Sequence, residues 1–265
     1  MRNMNPSSYS ILQIREVFHL EFLRWFARKL LTGNYGLKGG VNLRLFFGNI
    51  RYSEDMDIDV HGTGVERIKK TVMDILETRG FSDSLKAFGI ERVVSPDILK
   101  AKQTETTQRF KIHLLTSGGE DLFTKIEFSR RGLSGRIIAE PVSTQILRSY
   151  KMTPLMVPHY DATAAIHQKI RALAQRSVLQ PRDIFDLYIL HSRYERAAVE
   201  QTRISTAILK TAHANVFQAE FSYFRDAVVA YLGAEDQKTY DSLAAWDEIK
   251  LKTAQFLEEL QNEKD

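Results

Sequence analysis

Three aspartates, Asp55, Asp57 and Asp59, alternate with Met56, Ile58 and Val60. Side chains of a β-strand point to opposite faces with a period of two, so a strand here would set all three carboxylates on one face. Clustered carboxylates repel one another unless a cation offsets them. Hard divalent cations with oxygen ligands are the usual partners, and magnesium is the first expectation. Spacing alone leaves two adjacent ligand pairs open, Asp55 with Asp57 or Asp57 with Asp59.

Upstream, Lys38-Gly39-Gly40 closes a short apolar approach and precedes Val41, Leu43, Leu45 and Phe46 at helical spacing. Glycines between a strand and a helix let backbone amides and a helix N-terminus come close to a phosphate. The stretch Gly36–Val60 thus joins a phosphate cradle to a metal site; the plainer alternative is a Gly-Gly turn followed by a solvated acidic strand end. Further along, Leu122 to Phe128 (LFTKIEF) reads as a strand with Ile126 and Phe128 towards the core. That places Glu127 on the opposite face, where it would be a third metal carboxylate or a solvated strand glutamate. Lys169 and Arg176 share one side of a later helical pattern, and Asp183 and Asp186 share a face of the next, beside Arg182.

Such a set suits transfer from a nucleoside triphosphate. One metal on Asp55 and Asp57 would orient the triphosphate, and a second would lower the pKa of an attacking hydroxyl. Glu127 would hold the hydroxyl side or act as its base. Lys169 and Arg176 would contact phosphates and stabilise the charge on a departing pyrophosphate, with Asp183 and Asp186 orienting them. A solvated basic helix face is the alternative for Lys169 and Arg176.

These residues need elements to position them. The pattern predicts helices over 8–31, capped by Ser7, Ser8 or Ser10, and over 64–79, ended by Gly80. It predicts strands at 35–38, 84–94 and 137–142 and a hairpin of Thr107–Leu115 with Leu122–Phe128. Pro154 and Pro158 suggest a linker, which puts a domain boundary near 150–160, with 1–153 and 154–265 as the two domains. Helices follow at 161–177, 181–191, 197–214, 217–232 and 238–262. The fold class is α+β: a small mixed sheet with flanking helices, then an all-helical domain.

The 265 residues can bury a substantial core, and 43% hydrophobic with 26% charged residues fits a globular protein rather than a disordered one. The absence of cysteine excludes disulfides, thiolate metal sites and cysteine nucleophiles and suits a reducing cytoplasm. Neither a secretory signal nor a membrane-spanning run is recognisable, so a soluble cytoplasmic protein without a membrane partner is expected. The seven histidines form no metal spacing, and no Ser/His/Asp grouping or Walker-type glycine loop speaks for a hydrolase or a P-loop enzyme. Net charge is +4, yet residues 211–265 hold 5 Lys and Arg against 11 Asp and Glu, which leaves +10 on residues 1–210. That asymmetry suggests a polyanionic partner, and Arg130, Arg131, Arg136, Arg148 and Lys151 are candidates for a phosphate-backbone path.

Taken in order, Lys38-Gly39-Gly40, Arg51-x-Ser53-x-Asp55-x-Asp57, Lys125-Ile-Glu127, Lys169 with Arg176, and Arg182-Asp183-x-x-Asp186-Leu187 resemble the AbiEii/MenT nucleotidyltransferase toxins over about residues 35–190. The resemblance implies a polymerase-beta-like nucleotidyltransferase domain followed by a helical domain. It further implies a toxin of a bacterial toxin–antitoxin or phage-defence system that adds nucleotides to the acceptor end of tRNA and blocks aminoacylation. The expected partner is an antitoxin with a DNA-binding domain.

Carried over by position, the resemblance makes Asp55, Asp57 and Glu127 the magnesium ligands and leaves Asp59 as an extra acid. Lys169 and Asp186 join the catalytic set, while Lys38, Gly39, Gly40, Arg51, Ser53, Arg176 and Arg182 bind the nucleoside triphosphate, whose base the sequence does not specify. The family usually has Ser or Thr after the double glycine, where this chain has Val41. Without that hydroxyl, contact with the triphosphate falls to backbone amides, Lys38 or Asn42. Two other functions fit the same residues: a non-catalytic nucleotidyltransferase fold that binds RNA or nucleotide, and a nucleotidyltransferase acting on a protein or small molecule.

Overall fold

The computed structural model describes residues 9–98, 101, 103–194 and 204–262. The chain forms two compact units. One comprises Met1–Asn42, Tyr52–Leu133 and Ile137–His159, the other Leu43–Arg51, Ser134–Arg136 and Tyr160–Asp265.

The first unit is built on a seven-stranded mixed sheet of order β3-β4-β5-β2-β1-β7-β6. The strands are β1 (Tyr35–Lys38), β2 (Asp55–Val60), β3 (Ile90–Val94), β4 (Thr107–Thr116), β5 (Asp121–Ser129), β6 (Ile137–Pro141) and β7 (Met156–Tyr160). Helix α1 (Ile11–Phe26) starts at Ser10, whose hydroxyl accepts from the Gln13 amide while Gln13 reaches back to the Ser10 amide, a capping box. It is shorter than the expected 8–31, and Ser7 and Ser8 lie outside the described residues. Its aromatic stripe covers one face of the sheet: the Phe26 ring is 5.4 Å from that of Phe128, and His19 Nε2 is 3.0 Å from Thr124 Oγ1.

Two expectations fail next to α1. Helix α3 (Val65–Glu77) stops before Gly80, and a further helix, α4 (Arg79–Lys86), occupies the first part of the predicted 84–94 strand. The reason is tertiary. Phe81 and Leu85, four apart, are buried only if this segment is helical, and Phe81 meets Phe18 and Trp25 edge-on at 5.9 and 6.2 Å. Only Ile90–Val94 remains extended, as the edge strand paired with β4. The supposed linker at Pro154 and Pro158 is likewise occupied by structure. Pro158 lies inside β7, which pairs in parallel with β1 through its neighbour His159, so the missing proline N–H is tolerated.

The second unit is helical, with α6 (Ala162–Gln175), α7 (Pro181–Leu190), α8 (Thr206–Val216), α9 (Phe221–Ala227), α10 (Ala234–Tyr240) and α11 (Leu243–Asn262). A short helix α5 (Thr144–Ser149) precedes β7 in the first unit. The expected 197–214 helix is seen as α8, its residues 197–203 being outside the described ones. The segments 217–232 and 238–262 are more broken than expected: a single 3-10 turn, Val229–Tyr231, follows α9, and α10 and α11 are separate. Their shared core joins Ile170, Phe185, Leu209 and Leu257 with Trp246, whose ring stacks on Phe224 at 4.2 Å.

Candidate active site

Strands β1 and β2 run antiparallel with Lys38 opposite Asp57. Strands β2 and β5 run parallel, setting Asp55 opposite Lys125 and Asp57 opposite Glu127. Strands β4 and β5 are antiparallel, with Arg109 opposite Glu127 and Lys111 opposite Lys125. Side-chain parity is shared across paired strands, so these charged residues occupy one face of the sheet. Met56, Ile58, Phe110, Ile112, Ile126 and Phe128, all fully buried, occupy the other. The register therefore brings Glu127 beside Asp57, with Asp55 two residues along the same strand.

The phosphate-side elements adjoin this row. Helix α2 (Gly39–Phe47) begins at the glycines themselves rather than after them. Gly39 has φ of 69°, and a Cβ built there would lie 2.8 Å from Asp57 Oδ2, so the carboxylate is packed against bare backbone that only glycine supplies. Ser53 donates to the Asp55 carbonyl at 2.8 Å and fixes the loop that enters β2. Lys38 Nζ is 2.5 Å from Asp59 Oδ1, which gives the third aspartate of the strand a resident cation. Val41 is buried, and Asn42 turns inward to His159, with Oδ1 2.9 Å from Nδ1.

Electrostatics distinguish the acids. Burial raises the Asp57 carboxyl above the ordinary carboxylate range; Lys38 and Lys125 oppose that rise, whereas Glu127 and Asp55 add to it. Asp55 Oδ2 meets Lys125 Nζ at 2.8 Å, while its Oδ1 is buried without a hydrogen-bond partner. Glu127 Oε2 meets Arg109 Nε at 2.6 Å. Among the described residues no three His, Asp or Glu side chains converge at metal-ligand spacing, because Asp55 and Glu127 are turned towards these two cations. The donor set nevertheless suits a hard divalent cation. It is all carboxylate, one oxygen is buried and unpaired, and burial with two neighbouring acids raises the proton affinity of Asp57, an effect that such a cation would offset.

The second unit contains a separate charged cluster. Helix α7 begins with Pro181 in its first turn and carries Asp183 and Asp186, both completely buried. Lys169 Nζ of α6 is 2.8 Å from Asp183 Oδ1 and 2.6 Å from Asp186 Oδ2, and Arg176 Nε is 3.0 Å from Asp183 Oδ2. Arg51 Nη2 donates to both Asp186 oxygens, at 3.2 and 3.0 Å, and Asn49 Nδ2 donates to Oδ1 at 2.7 Å. Burial alone would raise the Asp186 carboxyl; Arg51 and Lys169 outweigh it and hold the group below the ordinary range. The loop that supplies Asn49 and Arg51 turns at Gly48, with φ of 72°, and the Arg44 guanidinium donates to the carbonyls of Asn49 and Ile50. Arg182 is exposed.

Asn49, Arg109 and the pairing of Lys125 were not read from the sequence. The shared parity of Arg109, Lys125 and Glu127 was the available signal, and it needs the hairpin register to become useful. Arg130 is anchored rather than presented to solvent: its Nε donates to the Thr63 carbonyl at 3.0 Å and its guanidinium also bonds Gln108.

The model of the AbiEii nucleotidyl transferase toxins of type IV toxin–antitoxin systems matches residues 22–262, nearly the whole chain. The chain belongs to this family. It is therefore an AbiEii-family nucleotidyltransferase toxin, and its fold has solved counterparts. The MenT4 nucleotidyltransferase toxin of Mycobacterium tuberculosis H37Rv superimposes with a TM-score of 0.56 at 16% identity, covering 95% of this chain and 87% of that one. JHP933 of Helicobacter pylori gives 0.53 at 17%, covering 97% and 94%. A candidate nucleotidyltransferase of H. pylori gives 0.54 at 18%, covering 94% of each chain. No curated protein sequence matches the chain. Among the described residues of the AbiEii-family chain, no helix is long and apolar enough to cross a membrane.

The Gly39 contact yields a direct test in the toxin. Gly39→Ala is expected to cost about 1–2 kcal/mol through its positive φ and to press on Asp57. Urea unfolding should show the loss, and Gly33→Ala, where a Cβ would meet nothing within 4 Å, should show none of that size.

Proposed function

We propose that this toxin is a magnesium-dependent enzyme that transfers a nucleoside monophosphate from a triphosphate to RNA, at the acceptor end of tRNA, and so inhibits translation. It works in the cytoplasm and is neutralised by a cognate antitoxin. The observation that carries the chemistry is the row of Asp57 and Glu127, directly paired across β2 and β5, with Asp55 on the same face and the amides of Gly39 and Gly40 opening α2.

Asp55, Asp57 and Glu127 would hold the metal, which when bound would neutralise triphosphate charge and acidify the acceptor hydroxyl. The amides at the start of α2 donate to the phosphates in place of the hydroxyl that Val41 lacks. Glu127 sits on the acceptor side and takes the proton as the 3′ oxygen forms its bond to the α-phosphorus and the bond to pyrophosphate breaks. Lys38, held on Asp59, stays beside Asp57 and limits the repulsion within the row. The unit built on the sheet, which includes β7 beyond the expected boundary at 153, is the transfer domain, and the helical unit is the second domain. Lys169, Arg176 and Arg182 keep the phosphate roles carried by the order of the family motifs, with Asp183 and Asp186 fixing Lys169 and Asp183 fixing Arg176.

Incubation of the protein with each labelled nucleoside triphosphate, magnesium and total tRNA tests this reading. Label should enter tRNA, and a nuclease digest should place it at the 3′ end. RNA binding without transfer would instead establish a non-catalytic protein. Label in protein or a small molecule but not in RNA would move the acceptor to another class.

A further inference from the structure

The charged face of the sheet extends past the carboxylate row. Beyond Asp57, Glu127 and Arg109, the next row along β5 and β4 holds Lys125 opposite Lys111, and the one after it holds Phe123 opposite His113. Rows on one face of a sheet are about 7 Å apart. Like charges directly across an antiparallel pair are destabilising, yet Lys125 and Lys111 occupy that position. Lys125 has Asp55 for a partner, whereas Lys111 is exposed and no described carboxylate pairs with it. In the third row the half-buried Phe123 ring lies 5.6 Å from the His113 imidazole, edge to face, and His113 Nδ1 is 2.9 Å from Asp121. Within this unit α1 packs on the apolar side of the sheet, so these rows are left to solvent to varying degrees.

Lysines followed by an aromatic pair, in line with the carboxylates, match the needs of a single-stranded nucleic acid. Its phosphates want fixed cations, and its bases want a ring on which to stack. We infer that the 3′ single strand of the acceptor RNA lies across the β4–β5 face, with a backbone phosphate on Lys111 and Lys125 and a base on Phe123 and His113. This deepens the proposed function and rests on it for the acceptor's identity. The terminal hydroxyl then sits at Asp57 and Glu127, with the preceding nucleotides leading away over the lysine row and the aromatic row. The path differs from one through Arg130, whose guanidinium is committed to Thr63 and Gln108. It also gives the Lys125–Asp55 pair a second use. Lys125, held on Asp55 here, would be free to reach the phosphate if a cation took its place on that carboxylate.

Binding is measured in the Asp57→Asn background, which prevents turnover, with 5′-fluorescein-labelled tRNA and with the same tRNA stripped of its 3′ single strand. Intact tRNA should bind more tightly. The double variant Lys111→Gln/Lys125→Gln should weaken it about tenfold and reduce the salt slope by about 0.7, the value for one neutralised phosphate on a single strand. Lys70→Gln, at an exposed lysine of α3, should change neither. Photocrosslinking of 4-thiouridine near the 3′ end to the unmutated face should label a peptide containing Phe123, a readout independent of how the variants fold. Equal affinity for the stripped tRNA, a double variant no weaker than Lys70→Gln, or crosslinks confined to other peptides would overturn the surface. Binding through these lysines with no transfer of label by the protein carrying Asp57 would sink the catalytic reading and leave the surface standing; transfer by that protein unaffected by the two lysine substitutions would do the reverse.

Discussion

Asp57→Asn is expected to abolish nucleotide transfer while making the metal-free protein more stable. Asp57 is raised above the ordinary carboxylate range chiefly by burial, with Glu127 and Asp55 adding repulsion, so ionising this carboxyl works against the fold. The folded state then binds a proton more tightly than the unfolded chain. Stability falls as pH rises from the ordinary value near 3.8 through the raised one. The amide cannot ionise, and a gain of about 1 kcal/mol is expected, within the usual range for a stabilising substitution. Transfer should fall by about three orders of magnitude, because a bound metal supplies several kcal/mol of charge stabilisation. Transfer of label from a nucleoside triphosphate checks the first half, and melting curves at pH 7 with and without magnesium check the second. The wild type should gain stability from the cation, and the variant should start higher and gain little. A variant that melts lower than wild type without metal would contradict the electrostatic account of this strand.

Asp186→Ala is expected to behave in the opposite way. Asp186 is fully buried and receives Arg51, Lys169 and Asn49, so the substitution takes this counter-charge from the buried Arg51 and leaves Lys169 with Asp183. Breaking a buried pair by removing one partner costs about 3–5 kcal/mol. For a chain of this size that is a fall in melting temperature of about 10 °C. Because the folded carboxyl is depressed, its contribution is fully present above the ordinary value near 3.8 and is lost as pH falls through the folded value. Asp186→Asn should thus flatten the acid limb of the wild-type stability profile. Loss of transfer in Asp186→Ala would accompany loss of stability, whereas in Asp57→Asn the two would separate. A stable, inactive Asp186→Ala would instead make this carboxylate a participant in the chemistry rather than a support for Arg51 and Lys169.

Much of the first unit was legible because its signals are local. The Asp55–Val60 alternation, the Thr107–Thr116 and Asp121–Ser129 hairpin and the Lys38-Gly39-Gly40 junction each depend on neighbours in the chain. Where local pattern met long-range packing, it lost. Phe81 and Leu85 made a helix of a stretch that alternates loosely, because Phe18 and Trp25 are there to cover them. Pro158 entered a strand because β1 accepts His159 beside it.

By itself the sequence determined the carboxylate pattern, the glycine junction before α2 and the order of motifs, since these are matters of spacing along one chain. The tertiary structure alone decided how each carboxylate is held. It paired Asp57 with Glu127 across strands some seventy residues apart, gave Asp55 to Lys125 and Glu127 to Arg109, and gathered Asn49, Arg51 and Lys169 on Asp186. Charge partners are chosen by register and burial. A buried carboxylate must find a cation or change its proton affinity, and which cation is within reach is fixed only when the strands and helices have packed.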